Sequence, residues 1–134
     1  MLNIIEEIEN EEIIKMKYID LKYLSNLTKS NQKLMSEMIS LYLEQTPPLI
    51  YSMKQSLKNK DWSLLQASVH KMIPSFSIMG ISADYEHMAK KIQEFASTQE
   101  ETDGISEMVL KIENVCRQAC QELEVELLKI RNNQ

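Results

Sequence analysis

Apolar residues recur every three or four positions along almost the whole chain, and this spacing is what most restricts its fold. It runs through residues 31–58, 62–79, 83–95 and 105–130. Side chains three or four positions apart lie on one face of an α-helix. Only two glycines and three prolines occur among 134 residues, so few positions oppose helix formation. The sequence therefore predicts an all-α protein.

Polar residues before these stretches predict where the helices begin. Asp20 can cap a short helix, and Ser30 or Asn31 can cap the long helix that follows. The next two helices are predicted to begin after Asp61 and Ser82. The last one follows a polar connector at residues 97–104. The pattern thus predicts one short helix and four long ones.

Short connections between long helices predict an antiparallel up-down four-helix bundle. Pro47 and Pro48 interrupt the first long helix, and we expect a kink or a short break there instead of a domain boundary. Gly80 suits a left-handed helix end. We therefore assign residues 20–134 to one bundle with a short extra N-terminal helix. Residues 1–19 are expected to form an arm or a loosely docked helix.

Charge and composition exclude several classes of function. The net charge of −5 disfavours nucleic-acid binding, which needs a basic face. No stretch approaches the roughly 20 apolar residues of a membrane span, and the acidic N-terminus does not resemble a signal peptide. Cys116 and Cys120 are interpreted as reduced thiols. The expected protein is cytoplasmic and monomeric, without a cofactor.

His70 is the main candidate for chemistry, because it is predicted to face water on a helix anchored by its other side. On a helical wheel it lies about 150° from the middle of the apolar stripe. That stripe consists of Leu65, Val69, Met72, Phe76 and Met79. An exposed imidazole suits a nucleophile that serves a partner protein. The alternative is an ordinary surface histidine.

A spaced set of residues surrounds this histidine, namely Val69, His70, Met72, Ser75, Ser77 and Gly80. The set resembles the histidine-containing phosphotransfer (HPt) domain of bacterial multistep phosphorelays. In that family a small residue precedes the phosphorylated histidine, an apolar residue and small residues follow, and a glycine lies ten positions later. The runs at 42–47 and 60–62 also look like this family. The resemblance extends from about residue 18 to the end.

Two positions depart from the family pattern. The lysine expected three residues after the histidine is Ile73 here, and the glycine expected next is Pro74. The family's lysine is thought to offset the charge of the phosphoryl group. Lys71, Lys90 and Lys91 are the candidates to replace it, and each is equally well interpreted as a solvated surface lysine. Pro74 also removes a backbone donor, which predicts a bend in the helix.

The resemblance implies a phosphorelay intermediate in two-component signalling. His70 would accept a phosphoryl group from an aspartate of one receiver domain and pass it to another receiver domain. The receiver, in a hybrid histidine kinase or a response regulator, would supply the Mg²⁺ site, so the chain is a stoichiometric carrier and not an enzyme. Lys71 and Gln93 would assist His70. The predicted docking surface consists of Gln66, Ala67, Ile73, Pro74 and Ser77.

Two other interpretations are weaker or different in kind. Asp84 and His87 could share a helix face, but bundle metal sites need two such pairs, and we expect no metal. The chain could instead be a helical adaptor that binds receiver domains without being phosphorylated. The replacements at Ile73 and Pro74 favour that alternative. Phosphate that is acid-labile, base-stable and lost in His70→Gln would distinguish the two.

Overall fold

The computed structural model describes residues 18–99 and 104–133, and their secondary structure consists of five helices without a strand. In chain order these are α1 (Lys22–Leu27), α2 (Gln32–Lys58), α3 (Trp62–Ile78), α4 (Ala83–Thr98) and α5 (Ile105–Asn132). The all-α prediction is confirmed. None of these helices is both long and apolar enough to cross a membrane.

Side-chain caps fix the beginnings of three of the long helices. The side-chain oxygens of Asn31, Asp61 and Ser82 accept hydrogen bonds from backbone N–H groups in the first turns of α2, α3 and α4. Asp20 accepts one at 2.9 Å from the first residue of α1. Such caps satisfy amide groups that have no partner within the helix. Asn31, and not Ser30, is the cap of α2.

Helix α2 runs without interruption through Pro47 and Pro48. The short break that the sequence suggests is therefore absent. Both prolines are exposed, so water can reach the carbonyl groups that lose their helical partners. The neighbouring Thr46 and Ile50 are buried and hold both halves of α2 against the core. Tertiary packing here outweighs the local preference of proline.

The core lies between the four long helices. Contacts join α2 to α3, α3 to α4, α2 to α5 and α4 to α5, while the short α1 touches α3. The apolar stripe predicted for α3 is buried throughout, with each member at most 2 % exposed. This burial confirms the predicted inner face and leaves the opposite face of α3 available to solvent.

The segment at residues 18–20, here called the N-terminal strap, is hydrogen-bonded to α5 and to the residue that follows α3. Its first two backbone N–H groups donate to Oε1 of the buried Glu122 at 3.0 and 3.2 Å. The N–H of Asp20 donates to the carbonyl of Met79 at 3.0 Å. Gly80 ends α3 with φ of +73°, as predicted, and it passes so close to Asp20 that a Cβ would collide with that backbone. The remainder of the predicted arm, residues 1–17, lies outside the described residues.

Glu113 is buried in α5 but is paired with two cations. Its Oε2 lies 3.1 Å from Lys54 Nζ on α2 and 2.9 Å from Arg117 Nη2 one turn along α5. Burial acts to raise the pKa of Glu113, but hydrogen bonding and attraction from Lys54 and Arg117 outweigh it and hold the pKa below its usual value. The carboxylate therefore stays charged and ties α2 to α5.

Candidate functional site

His70 lies near the middle of α3 on the face turned away from the core. The residue is exposed, while Val69 and Met72 beside it are buried. The histidine is thus carried by a helix whose position is fixed by packing on its other side. This arrangement agrees with the exposure that the helical wheel predicts.

One side-chain contact orients the imidazole. Nδ1 of His70 lies 3.0 Å from Nε2 of Gln93, which belongs to α4 and is 23 residues away in the chain. Among the described residues no group bonds to Nε2 of the ring. Gln93, which the resemblance associates with the histidine, therefore does contact it. The residue is exposed, and Nε2 lies on the opposite edge of the ring from the bonded nitrogen.

The orientation of the Gln93 amide decides which ring nitrogen is nucleophilic. With its NH₂ group toward Nδ1, the amide donates, and the proton of the neutral imidazole lies on Nε2. If the amide turns over, its oxygen accepts from Nδ1–H and Nε2 keeps a free lone pair. The second orientation makes the exposed nitrogen the nucleophile. Gln93 can therefore select the reactive tautomer without moving its backbone.

The predicted docking residues around His70 differ in exposure. Ala67, Pro74 and Ser77 are exposed, and Gln66 is half-buried. Ile73 is also half-buried and packs against the core, so it is not the freely exposed apolar residue that the sequence predicts. Helical spacing alone missed this because it ignores the neighbouring helix. Ile73 offers a partner only part of its side chain.

An apolar groove lies between α2 and α3 on the Pro74 side of the histidine face, and we call it the α2–α3 groove. Its cavity has a volume of about 210 Å³. The lining residues are Met38, Leu41, Tyr42, Gln45, Thr46, Leu49, Lys71, Pro74, Ser75, Ile78 and Met79. Its α2 members are not among the residues predicted from the sequence. The sequence signal for these residues was that Leu41 and Leu49 lie beside the core stripe of α2. In the structure Leu41 is half exposed.

The three candidate lysines lie in different surroundings. Lys71 lines the groove and an adjoining surface depression beside Pro48 and Leu49 of α2. Lys90 Nζ lies 3.5 Å from Glu86 Oε2 on α4. Lys91 is exposed. The structure thus places one lysine on the α2 side of His70 and two on α4.

The cysteines do not form a reactive centre. Burial raises the pKa of the Cys116 thiol to about 12 and that of Cys120 to about 11. Thiols with such values are largely protonated at neutral pH and react slowly. Both are free thiols. Among the described residues, Asp84 and His87 are not part of a cluster of three or more potential metal ligands.

The candidate site combines the exposed imidazole of His70, a glutamine that contacts one of its nitrogens, and the α2–α3 groove on the Pro74 side of the histidine. Comparisons with protein-family models, curated proteins and solved structures gave no match for this chain.

Proposed function

We propose that this chain is a cytoplasmic phosphorelay intermediate that carries a phosphoryl group on His70 between receiver domains. The observation that supports it most is the contact between Nδ1 of the exposed His70 and Gln93, while Nε2 has no bonded partner among the described residues. A ring held at one nitrogen and open at the other suits attack on a group brought by a visiting protein. The resemblance to HPt domains points to the same chemistry.

The fold that we propose for this function is an antiparallel up-down four-helix bundle. The hydroxyls of Ser52 and Ser68 lie 2.7 Å apart, whereas Leu41, earlier on α2, shares the groove with Ile78, later on α3. Neighbouring helices whose contacts advance in opposite directions run antiparallel. Such a bundle presents His70 at mid-length on a rigid surface, where a globular partner can reach it.

The transfer step needs only the imidazole from this chain. The Nε2 lone pair forms the N–P bond while the P–O bond to the receiver aspartate breaks, and the bonding electrons leave with the carboxylate. Nδ1 keeps its proton, and after the Gln93 amide turns over, its Oε1 accepts a hydrogen bond from Nδ1–H. Phosphoryl transfer depends mainly on positioning and charge stabilisation, and the receiver's Mg²⁺ would supply much of the latter. Transfer to the next receiver reverses these bond changes.

The α2–α3 groove gives the partner a place to bind. Apolar side chains of a receiver domain would enter it beside Pro74, while the aspartyl phosphate reaches His70. Binding surfaces commonly combine an apolar centre with a polar rim, and Lys71 and Gln45 supply polar groups at this edge. The predicted surface of Ala67, Pro74 and Ser77 adjoins the groove.

The two histidines of the chain allow a matched test. The protein is mixed with a receiver domain carrying a labelled aspartyl phosphate, and acid-labile, base-stable label on the chain is measured. We expect His70→Gln to abolish the label and His87→Gln, which changes the exposed histidine of α4, to retain it. Gln93→Leu should lower the rate about three- to tenfold, as expected for one hydrogen bond. Equal labelling of the wild type and His70→Gln would refute the proposal.

Ile73 supports one alternative, a receiver-binding adaptor that is never phosphorylated. This half-buried isoleucine occupies the position where the HPt family has the lysine that offsets the phosphoryl charge, so α3 lacks that charge. Both functions predict that a bulky change in the groove, such as Leu41→Arg, weakens receiver binding. Only the phosphorelay predicts stable label on His70. A chain that binds the receiver in the groove and takes no label would be the adaptor.

A further inference from the structure

We infer that Lys90, on α4, supplies the positive charge that stabilises a phosphoryl group on His70. This inference rests on the proposed function and identifies a further residue of the same site. The HPt family places its lysine on the histidine helix, three residues after the histidine, and that position is Ile73 here. The charge would therefore come from the neighbouring helix.

The contact between His70 and Gln93 fixes how α3 and α4 lie side by side. Lys90 precedes Gln93 by three residues, which corresponds to about 60° around α4 and about 4.5 Å along its axis. Both side chains lean toward the N-terminal end of α4, as helical side chains do, so their ends stay about one turn apart or less. The flexible side chain of Lys90 is thus within reach of a group carried on the exposed edge of the ring.

The other two lysines are less well placed. Lys91 lies about 160° around α4 from Gln93 and extends to another side of that helix. Lys71 follows His70 on α3 and lies against α2, on the groove side. Gln93 approaches the ring from the α4 side. Lys90 is therefore the candidate that shares a helix with the residue holding Nδ1, and its long side chain can extend past Gln93 toward the Nε2 edge.

The present partner of Lys90 is one that a phosphoryl group can displace. Its Nζ lies 3.5 Å from Glu86 Oε2, and the lysine side chain is 57 % exposed. Exposed pairs of this kind contribute little to stability. A phosphoryl group carries a charge of up to about −2 and three acceptor oxygens, so it competes well with a single carboxylate. Glu86 would hold Lys90 aside until His70 is phosphorylated.

The test measures the equilibrium distribution of phosphate between a receiver domain and the full chain. We expect Lys90→Met to shift it toward the receiver about fivefold, the effect of one charge at contact distance in water. Lys90→Arg should restore the wild-type value, and Lys91→Met should not change it. Glu86→Gln should act in the opposite direction, because it frees Lys90. A purely structural ion pair would instead make the Glu86 and Lys90 variants behave alike.

A second measurement uses phosphoramidate, a small donor that phosphorylates histidine without a partner protein. In the wild type the side-chain NH₃⁺ signal of Lys90, observed by NMR, should shift on phosphorylation more than those of Lys71 and Lys91. The inference is overturned if Lys71→Met produces the fivefold effect and Lys90→Met does not, although the proposed function would then stand. If the wild type accepts no label on His70 from either donor, both fail.

Discussion

Gly80 offers a quantitative test of how the N-terminal strap is held. Both glycines of the described chain have positive φ, +73° at Gly80 and +88° at Gly104. Placing alanine in that conformation costs about 1–2 kcal/mol at either position. The two sites differ in the space around them. A Cβ on Gly80 would collide with the backbone of Asp20, whereas the nearest atom to a Cβ on Gly104 is Glu107 Oε2 at 4.0 Å.

The collision at Gly80 adds a cost that Gly104 lacks. To make room, the strap must move, which breaks the hydrogen bond from Asp20 N–H to Met79. Larger movement also breaks the two bonds to Glu122. Each lost bond costs about 1 kcal/mol. We therefore expect Gly80→Ala to lower the free energy of unfolding by about 1–3 kcal/mol more than Gly104→Ala does.

Urea denaturation of the wild type, Gly80→Ala and Gly104→Ala, followed by far-UV circular dichroism, measures this difference directly. Because both variants carry the same change in a similar backbone conformation, the conformational cost cancels and the collision is isolated. Hydrogen exchange at residues 18–20 should also accelerate in Gly80→Ala alone. Unfolding free energies that agree within about 0.5 kcal/mol would refute this reasoning, since the close approach of Asp20 would then cost nothing.

Caps, buried charge and buried thiols give three further expected outcomes. Asp61→Ala should destabilise the protein by about 1 kcal/mol, as measured by urea unfolding, because it removes the cap of α3. Glu113→Gln should lower the free energy of unfolding by about 1–2 kcal/mol at pH 7, a moderate loss because Lys54 and Arg117, which pair with Glu113, are about half exposed. Because folding lowers the pKa of Glu113, its contribution to the free energy of unfolding should be complete above its ordinary pKa of 4.5. That contribution should be lost as the pH falls through the lower pKa of the folded state, which unfolding measurements at several pH values would show. Cys116 and Cys120 should react with iodoacetamide at pH 8 only slowly until urea unfolds the chain, because burial raises both pKa values.

The sequence predicted the helices well because most of their ends depend on local chemistry. Asn31, Asp61 and Ser82 each bond to amide groups two or three residues ahead, so their effect is visible within a few letters. The Pro47–Pro48 site is different. Whether proline breaks a helix there depends on which face it occupies and on what the adjacent turns bury, and both are properties of the assembled bundle.

The site was predictable only in part, for the same reason. The exposure of His70 follows from helical spacing within α3. Its contact with Gln93, 23 residues later in the chain, depends on how α3 and α4 pack side by side. The spacing of residues within one helix does not give that packing. The half-burial of Ile73 and the groove beside Leu41 likewise arise between helices. The periodicity of a single helix carries no information about such features, because they depend on which helices become neighbours.

The two departures from the HPt pattern have a common consequence in this structure. Ile73 packs against the core, so its position contributes apolar contact and no charge. Pro74, the neighbouring departure, lies on the edge of the α2–α3 groove and extends that apolar surface. Under the proposed function, the histidine helix presents a less polar face to the receiver, while Lys90 on α4 carries the charge. A receiver adapted to this chain should therefore present apolar side chains toward the groove and tolerate the loss of Lys71 better than the loss of Lys90.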